Sequence, residues 1–238
     1  MFIHHGSERT FEHNLKIATL LSFVAGVVNV VGFISVHVLT TNVTGHFAFL
    51  ADNVLNFKMQ DAIITFFYIF MFFAGAFVSS FLIEAAAPKS EKNIFMIPMA
   101  LEICILLTLG ITGTLFFRQE PNLVALSLLF AMGVQNSLVT KISNAVVRTT
   151  HLTGLFTDLG IEISQLFFYR SKEQKGKLLS TIRLRARIIV FFFLGGLIGG
   201  FFYPRVKLYV LLGPALLLIS GLIYDNIKFN AERKKTKV

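Results

Sequence analysis

Six runs of mostly apolar residues, each long enough to cross a bilayer as a helix, constrain this chain more than any other feature. They cover roughly 15–39, 61–84, 93–117, 122–147, 184–203 and 205–225. A hydrocarbon core about 30 Å thick asks for about 20 residues of helix, and inside it every backbone polar group must be satisfied within the protein. The expected fold is therefore all-α: a polytopic membrane protein with about six transmembrane helices, forming a single integral membrane domain over 1–238. Composition agrees, because 55% of residues are hydrophobic, 27 are Phe and only 15% are charged. A soluble domain of this length would need more polar surface. The first run continues from Leu15 to Leu39 without a small-residue cleavage site, so it reads as a retained span rather than a signal peptide.

Lysine and arginine are distributed unevenly between the connecting segments. One face collects Arg9 and Lys16, then Lys89 and Lys92, then the long fourth loop with Arg148, Arg170, Lys172, Lys175, Lys177, Arg183, Arg185 and Arg187, and finally the tail over 226–238 with Lys228, Arg233, Lys234, Lys235 and Lys237. The opposite face holds Lys58, Arg118, Arg205 and Lys207, while Lys141 lies within the fourth run. By the positive-inside rule both termini are expected in the cytoplasm. The net charge of +9 is then a topology signal that also meets anionic headgroups, so membrane lipids are expected partners and nucleic acid is not. The single Cys104 lies in an apolar run, where packing is its expected role.

A polar phrase occurs twice, each time after a long apolar run: Thr40-Thr41-Asn42-Val43-Thr44-Gly45 and Thr149-Thr150-His151-Leu152-Thr153-Gly154. Both copies read T-T-x-(V/L)-T-G at an offset of 109. A second echo relates the second and fifth runs at an offset of 120, where Phe72-Phe73, Gly75, Ala76, Ser79 and Ser80 match Phe192-Phe193, Gly195, Gly196, Gly199 and Gly200. The difference between the offsets falls in the charged stretch around Arg170 to Lys177. Small residues four apart let helices approach closely in lipid, and the Gly195/Gly199 and Gly196/Gly200 pairs would suit either an internal contact or a homo-oligomer.

These echoes divide the chain into repeat 1 over about 15–117 and repeat 2 over about 122–225. Three spans per half is an odd number, so the second half enters the membrane from the opposite side. The expected arrangement is a 3+3 inverted repeat, a recurrent design of secondary transporters in which broken helices converge near the midplane. Each phrase is trailed by a short apolar stretch, 47–57 and 155–169, read as a half-helix or re-entrant segment. An interfacial amphipathic helix is the competing reading.

Polar groups inside apolar spans are functional candidates because burying them without partners costs several kcal/mol, on the order of 2–7 for a neutral group. In the first half these are Asn29, Thr40, Thr41, Asn42, Thr44, Gly45, His46 and Asp52; in the second, Gln135, Asn136, Thr150, His151, Thr153, Gly154 and Asp158, with Lys141 and Asn144 in the fourth run. Thr and Asn oxygens with freed carbonyls could hold a cation or small polar solute, and each Gly is expected to let the backbone leave the helical region. The alternative for any single Thr is simple hydrogen bonding to a neighbouring turn. Asp52 and Asp158 stand at different distances from their phrases and are not repeat equivalents. Glu102, deep in the third run, needs a partner and could carry a proton, paired with Lys141 or His46; a structural ion pair is an equal reading.

Other chemistry lacks its parts. His4 and His5 have no ligand companions at metal-binding spacing, Asn42-Val43-Thr44 matches a glycosylation sequon only formally, and there is no H-E-x-x-H, P-loop or G-x-S-x-G. No enzyme activity, cofactor or metal is expected.

Val43-Thr44-Gly45, Ala131-Met132-Gly133-Val134-Gln135-Asn136 and the second phrase followed by Thr157-Asp158-Leu159 together resemble the YoaK-like family of multi-spanning bacterial membrane proteins. The likeness covers nearly the whole chain. The family pattern commonly has an acidic residue in the first span, where this chain has Asn29, and Asn where this chain has His46. The resemblance implies a polytopic fold in a bacterial inner membrane and supplies no substrate. The expected function is a secondary transporter or channel for a small solute or ion, with a non-transporting assembly or lipid-binding protein as the alternative. What separates them is whether the two phrases converge on one cavity.

Overall fold

The computed structural model describes residues 9–87, 94–116 and 120–235. They form α1 (Phe11–Val36), α2 (Val43–Leu55), α3 (Met59–Ala86), α4 (Met96–Phe116), α5 (Pro121–Ile142), α6 (Leu152–Gln165), α7 (Lys172–Val206) and α8 (Leu212–Lys235), with a 3-10 turn, Lys207–Leu211, before α8. The expected all-α polytopic architecture is what is found. His4, His5, Lys89, Lys92, Arg118 and Lys237 lie outside the described residues.

Local chemistry sets the helix ends. Thr10 caps α1 in a reciprocal box, its hydroxyl accepting from the His13 amide at 3.4 Å while His13 Nδ1 accepts from the Thr10 amide at 3.3 Å. Pro121 opens α5, where its missing N–H costs nothing. The fourth span stops at Ile142 and not at the expected 147. Ser143 Oγ donates to Val139 O at 2.6 Å and accepts from Val147 N at 3.0 Å, and Asn144 and Ala145 take the left-handed φ values 49° and 62°. A side chain that bonds both sides of the break offers the backbone an alternative to continuing the helix. The basic stretch after Arg170, read as a loop, is instead helical from Lys172, supported by the Glu173–Lys177 pair at 2.7 Å.

Among the described residues five runs are long and apolar enough to cross a membrane, the last being the 56-residue stretch Lys172–Ile227 that holds α7 and α8 as far as Ile227. That stretch bends at Lys207, whose φ is 52° just after Pro204. α8 then returns beside α4, with Leu212 and Leu208 seated on Gly110 and Gly113. At its far end Asp225 approaches Arg9, whose guanidinium is drawn down to about 10 by burial, with the Asp225 carboxylate opposing that shift. The bend therefore yields two arms, and six long helices among the described residues.

Two close pairs build the bundle. In α1 and α7, Gly195 lies against the Phe23 carbonyl, Gly26 against the Phe192 carbonyl and Gly199 against Val27. Phe23, Val27 and Ile34 meet Gly195, Gly199 and Gly200 in turn, so the pair is parallel. In α3 and α5, Gly75 lies against the Phe130 carbonyl and Gly133 against that of Phe72, with Tyr68 Oη donating to Asn122 Oδ1 at 2.6 Å and Lys141 meeting Glu84 at 2.5 Å farther along. This pair is parallel too. α1 and α5 then cross antiparallel at the centre, where Gln135 Nε2 donates to Leu21 O at 2.9 Å and Leu128 approaches Gly32.

Burial follows this order. The apolar windows of α1 and α5 are each 61% buried, against 22% for α3, so α1 and α5 form the middle and α3 faces outward. Its exposed Phe66, Phe70, Phe73, Phe77 and Phe81 form a ring stripe with centroids 6.2 to 6.5 Å apart in the stacked pairs. Lipid tails are as apolar as these rings, so tight backbone contact rather than apolar burial holds such helices together. All four small positions of α7 considered for a homo-oligomer, Gly195, Gly196, Gly199 and Gly200, face α1. They serve an internal contact.

Candidate functional site

The ends of α1 and α5 fold back in the same way. α1 terminates at His37 with φ 57° and α5 is followed by Asn144 with φ 49°. The chain then descends beside its own helix. Asn29 Oδ1 accepts from the Thr41 hydroxyl at 2.9 Å and the Thr41 amide at 3.2 Å, and Asn136 Oδ1 accepts from the Thr150 hydroxyl at 3.0 Å. Asn29 lies about two turns before the end of α1. The phrases are therefore anchored between the long helices, at side chains that point inward.

α2 and α6 start from this anchorage, with Asn42 and His151 at their N-caps. Asn42 Oδ1 accepts from the Gly45 amide at 3.0 Å, satisfying one of the free donors of the first turn. A Cβ on Gly45 would meet the Asn42 side chain, and one on Gly154 the His151 ring. The Gly of each phrase thus provides room for the cap side chain. This corrects the expectation that it lets the backbone leave the helix: both Gly are helical, and the residues with positive φ at the two breaks are His37, Asn144 and Ala145.

Both phrases open on one cavity of about 920 Å³. Its polar lining is Asn29, Thr41, Asn42, Thr44 and Gly45 from the first half and Asn136, Thr140, Arg148, Thr150, His151 and Thr153 from the second. Leu39, Val43, Ala48, Phe72, Leu152 and Phe192 supply apolar wall. A smaller space of about 450 Å³ adjoins it, sharing Asn136 and Thr140 and reaching Lys141, Asn144 and Ala145.

The remaining candidates lie elsewhere. Thr40 is fully buried with its methyl against Gly32 and its hydroxyl without a partner among the described residues. Gln135 is fully buried and bridges to α1 and to Thr149 Oγ1 at 3.4 Å. His46 is buried with Nε2 at 2.8 Å from Leu39 O and its ring edge-on to Tyr68. Asp52 is exposed at the far end of α2, accepting from Asn56 Nδ2 at 2.9 Å. Asp158 meets Arg185 at 2.7 Å, and Arg185 also reaches Glu162 at 2.9 Å. Gly154 sits beneath His151.

Glu102 is fully buried on α4, and neither of its oxygens has a hydrogen-bond partner among the described residues. The pairings expected for it are not formed: Lys141 is taken by Glu84 and His46 by Leu39 O. Glu84 and Lys141 both stand on the closely paired helices α3 and α5, which places them side by side and takes up the Lys141 ammonium.

Hydropathy and motif spacing do not single out Arg148 or Thr140 as site residues, and they mark Phe72 and Phe192 only as packing. A usable signal nevertheless exists. Phe23, Gly26, Asn29 and His37 correspond to Phe130, Gly133, Asn136 and Asn144 at a constant offset of 107, two less than the phrases themselves. The register of 107 pairs the two asparagines, and the phrase offset of 109 makes Arg148 the counterpart of Leu39.

The chain is 25% identical over 226 residues to UPF0700 transmembrane protein YoaK of Bacillus subtilis (strain 168), covering 91% of this chain and 96% of that relative. No solved structure matches it. The family model described as Protein of unknown function (DUF1275) matches residues 17–224, and the chain is therefore a membrane protein belonging to that YoaK-like family.

Proposed function

We propose that this protein is a secondary transporter or channel that moves a small solute or ion through the cavity where the two repeated phrases meet. The observation that carries this reading is the convergence of Thr41, Thr44, Thr150 and Thr153, far apart in sequence, on one space between long apolar helices. The two halves are read as an inverted repeat. In support, the contact of Gly26 with Phe192 has its counterpart in Gly133 with Phe72, the contact of Gly195 with Phe23 in Gly75 with Phe130, and α1 runs antiparallel to α5. α2 and α6, at 13 and 14 residues, are about 20 Å long and cannot span alone. They are read as re-entrant half-helices whose amino ends meet the solute. The charge distribution supports a multi-pass protein of the bacterial inner membrane with both termini cytoplasmic.

The test is solute flux in proteoliposomes for the native protein and for the nearly isosteric Thr44→Val/Thr153→Val double variant. Both side chains line the cavity, and among the described residues their hydroxyls make no bond that the fold depends on. Flux should fall at least about tenfold, the loss expected for removing two hydrogen bonds to a solute, while folded yield is retained. Native protein that is folded and inserted yet passes no solute across a broad panel of anions, cations and neutral polar compounds would instead favour an assembly or lipid-binding protein.

A further inference from the structure

The polar frame of the cavity is duplicated but its charge is not. Asn29, Thr41 and Thr44 line it from the first half and Asn136, Thr150 and Thr153 from the second, so these groups repeat from one half to the other. At the phrase offset, however, Leu39 of the first half corresponds to Arg148 of the second, and both line the cavity. Arg148 is exposed to that space and forms no ion pair or hydrogen bond among the described residues. No carboxylate is in the described lining. The acids of the same half are engaged elsewhere, Asp158 and Glu162 on Arg185. Across the bundle, Glu84 is held by Lys141.

We infer that the solute of this cavity is a small organic anion whose charged group is bound by Arg148 at the end formed by the second half, with its apolar body against Phe72 and Phe192. Translocation of that anion rests on the transport reading; its binding rests on the lining alone. A guanidinium offers up to five donors in a fixed fork and matches a carboxylate or phosphate in two-point geometry. A cation would meet an uncompensated positive charge there, which costs affinity at any distance within the cavity. The amino ends of α2 and α6 add a smaller potential of the same sign. Charge on one half only also gives the ligand a direction along the duplicated frame: head toward Arg148, tail toward Leu39. The apolar wall and a volume in the range of small-molecule pockets favour an organic anion over a bare halide.

The experiment is thermostability of the purified full chain, read by loss of the monodisperse peak after heating, with lactate, succinate and inorganic phosphate as anions, tetraethylammonium and ethanolamine as cations, and glucose as a neutral solute. Anything that binds the native state raises its apparent stability. At least one anion should stabilise the native protein, a carboxylate and phosphate being told apart by which of them does so. Arg148→Gln should weaken that anion at least about tenfold, the loss expected for one charge-assisted hydrogen-bond pair, and Arg148→Lys should retain part of it. Thr153→Asp, which adds a carboxylate to the same lining at a helix amino end that tolerates acids, should also weaken the anion and serves if Arg148→Gln is unstable. Stabilisation by cations or glucose alone, by no compound, or by anions equally in the native protein and both charge variants overturns the inference. Anion binding that survives these controls without flux in proteoliposomes overturns the transport reading instead and leaves the anion site standing.

Discussion

At the level of single residues, the membrane sorts the polar groups of this chain into two kinds. One kind has partners supplied by a repeated local geometry: Asn29 accepts from the Thr41 hydroxyl and amide and Asn136 from the Thr150 hydroxyl, so these groups are satisfied within the bundle where lipid could not do it. The other kind is buried without partners, and Glu102 is its extreme member, fully buried with both oxygens unbonded among the described residues. Replacing an unsatisfied buried polar group by an apolar one of similar size is close to neutral or stabilising, by about 1–3 kcal/mol. Glu102→Leu is therefore expected to leave thermal stability in detergent unchanged or raise it. A marked drop would mean that the carboxyl has a partner in the membrane, and loss of flux at raised stability would place Glu102 in the transport proposed above. That the polar residues cluster was legible from the sequence, because an intramembrane Asn or Thr is conspicuous against Leu and Phe. Which of them meet was not, since Asp52 and Thr44 look alike as polar interruptions yet one is capped by its own helix and the other lines the cavity.

At the level of helices, glycine determines how near the axes come. Gly26, Gly75, Gly133 and Gly195 each face a carbonyl of the opposing helix, and a Cβ at any of them would collide with backbone, which cannot rotate aside as a side chain can. Gly133→Ala is expected to cost about 1–3 kcal/mol, as overpacking does in a filled interior, measured as a lowered melting temperature and reduced monodisperse yield. Gly160 of α6 has nothing within 4 Å of its would-be Cβ. Gly160→Ala should be neutral or stabilise by up to about 1 kcal/mol, through helix propensity alone. Equal effects of the two substitutions would remove the close-approach explanation. The glycine stripes could be seen in the sequence as four-residue spacing, but their partner could not: the same pattern serves an internal pair or a contact between copies, and only the positions of Phe23, Val27 and Val30 decide for the first.

For the whole molecule, orientation and packing are governed by different physics. Orientation is a matter of where positive charge is retained, and it acts over short loops next to the spans. Lys172, Lys175 and Lys177 form one of the densest basic groups, placed on the first turns of α7 and exposed. Changing all three to Gln should alter reporter-fusion topology in a measurable fraction of molecules while flux per correctly inserted molecule stays the same; unaltered topology would argue against a dominant role for this group. Packing instead depends on contacts between segments more than a hundred residues apart, as when Gln135 reaches Leu21.

Lipid imposes length and apolarity on every span independently of its neighbours, so the class of the protein, the approximate number and position of its long helices, and the two short interruptions could all be read from residue order alone. The helix ends at Ile142 and Lys172 could not, because there a serine and an ion pair outweigh hydropathy. Nor could the placement of Arg148 in the cavity or of Lys141 beside Glu84. Those outcomes depend on which helix faces align when glycines bring two backbones into contact, and that alignment exists only once the helices have packed.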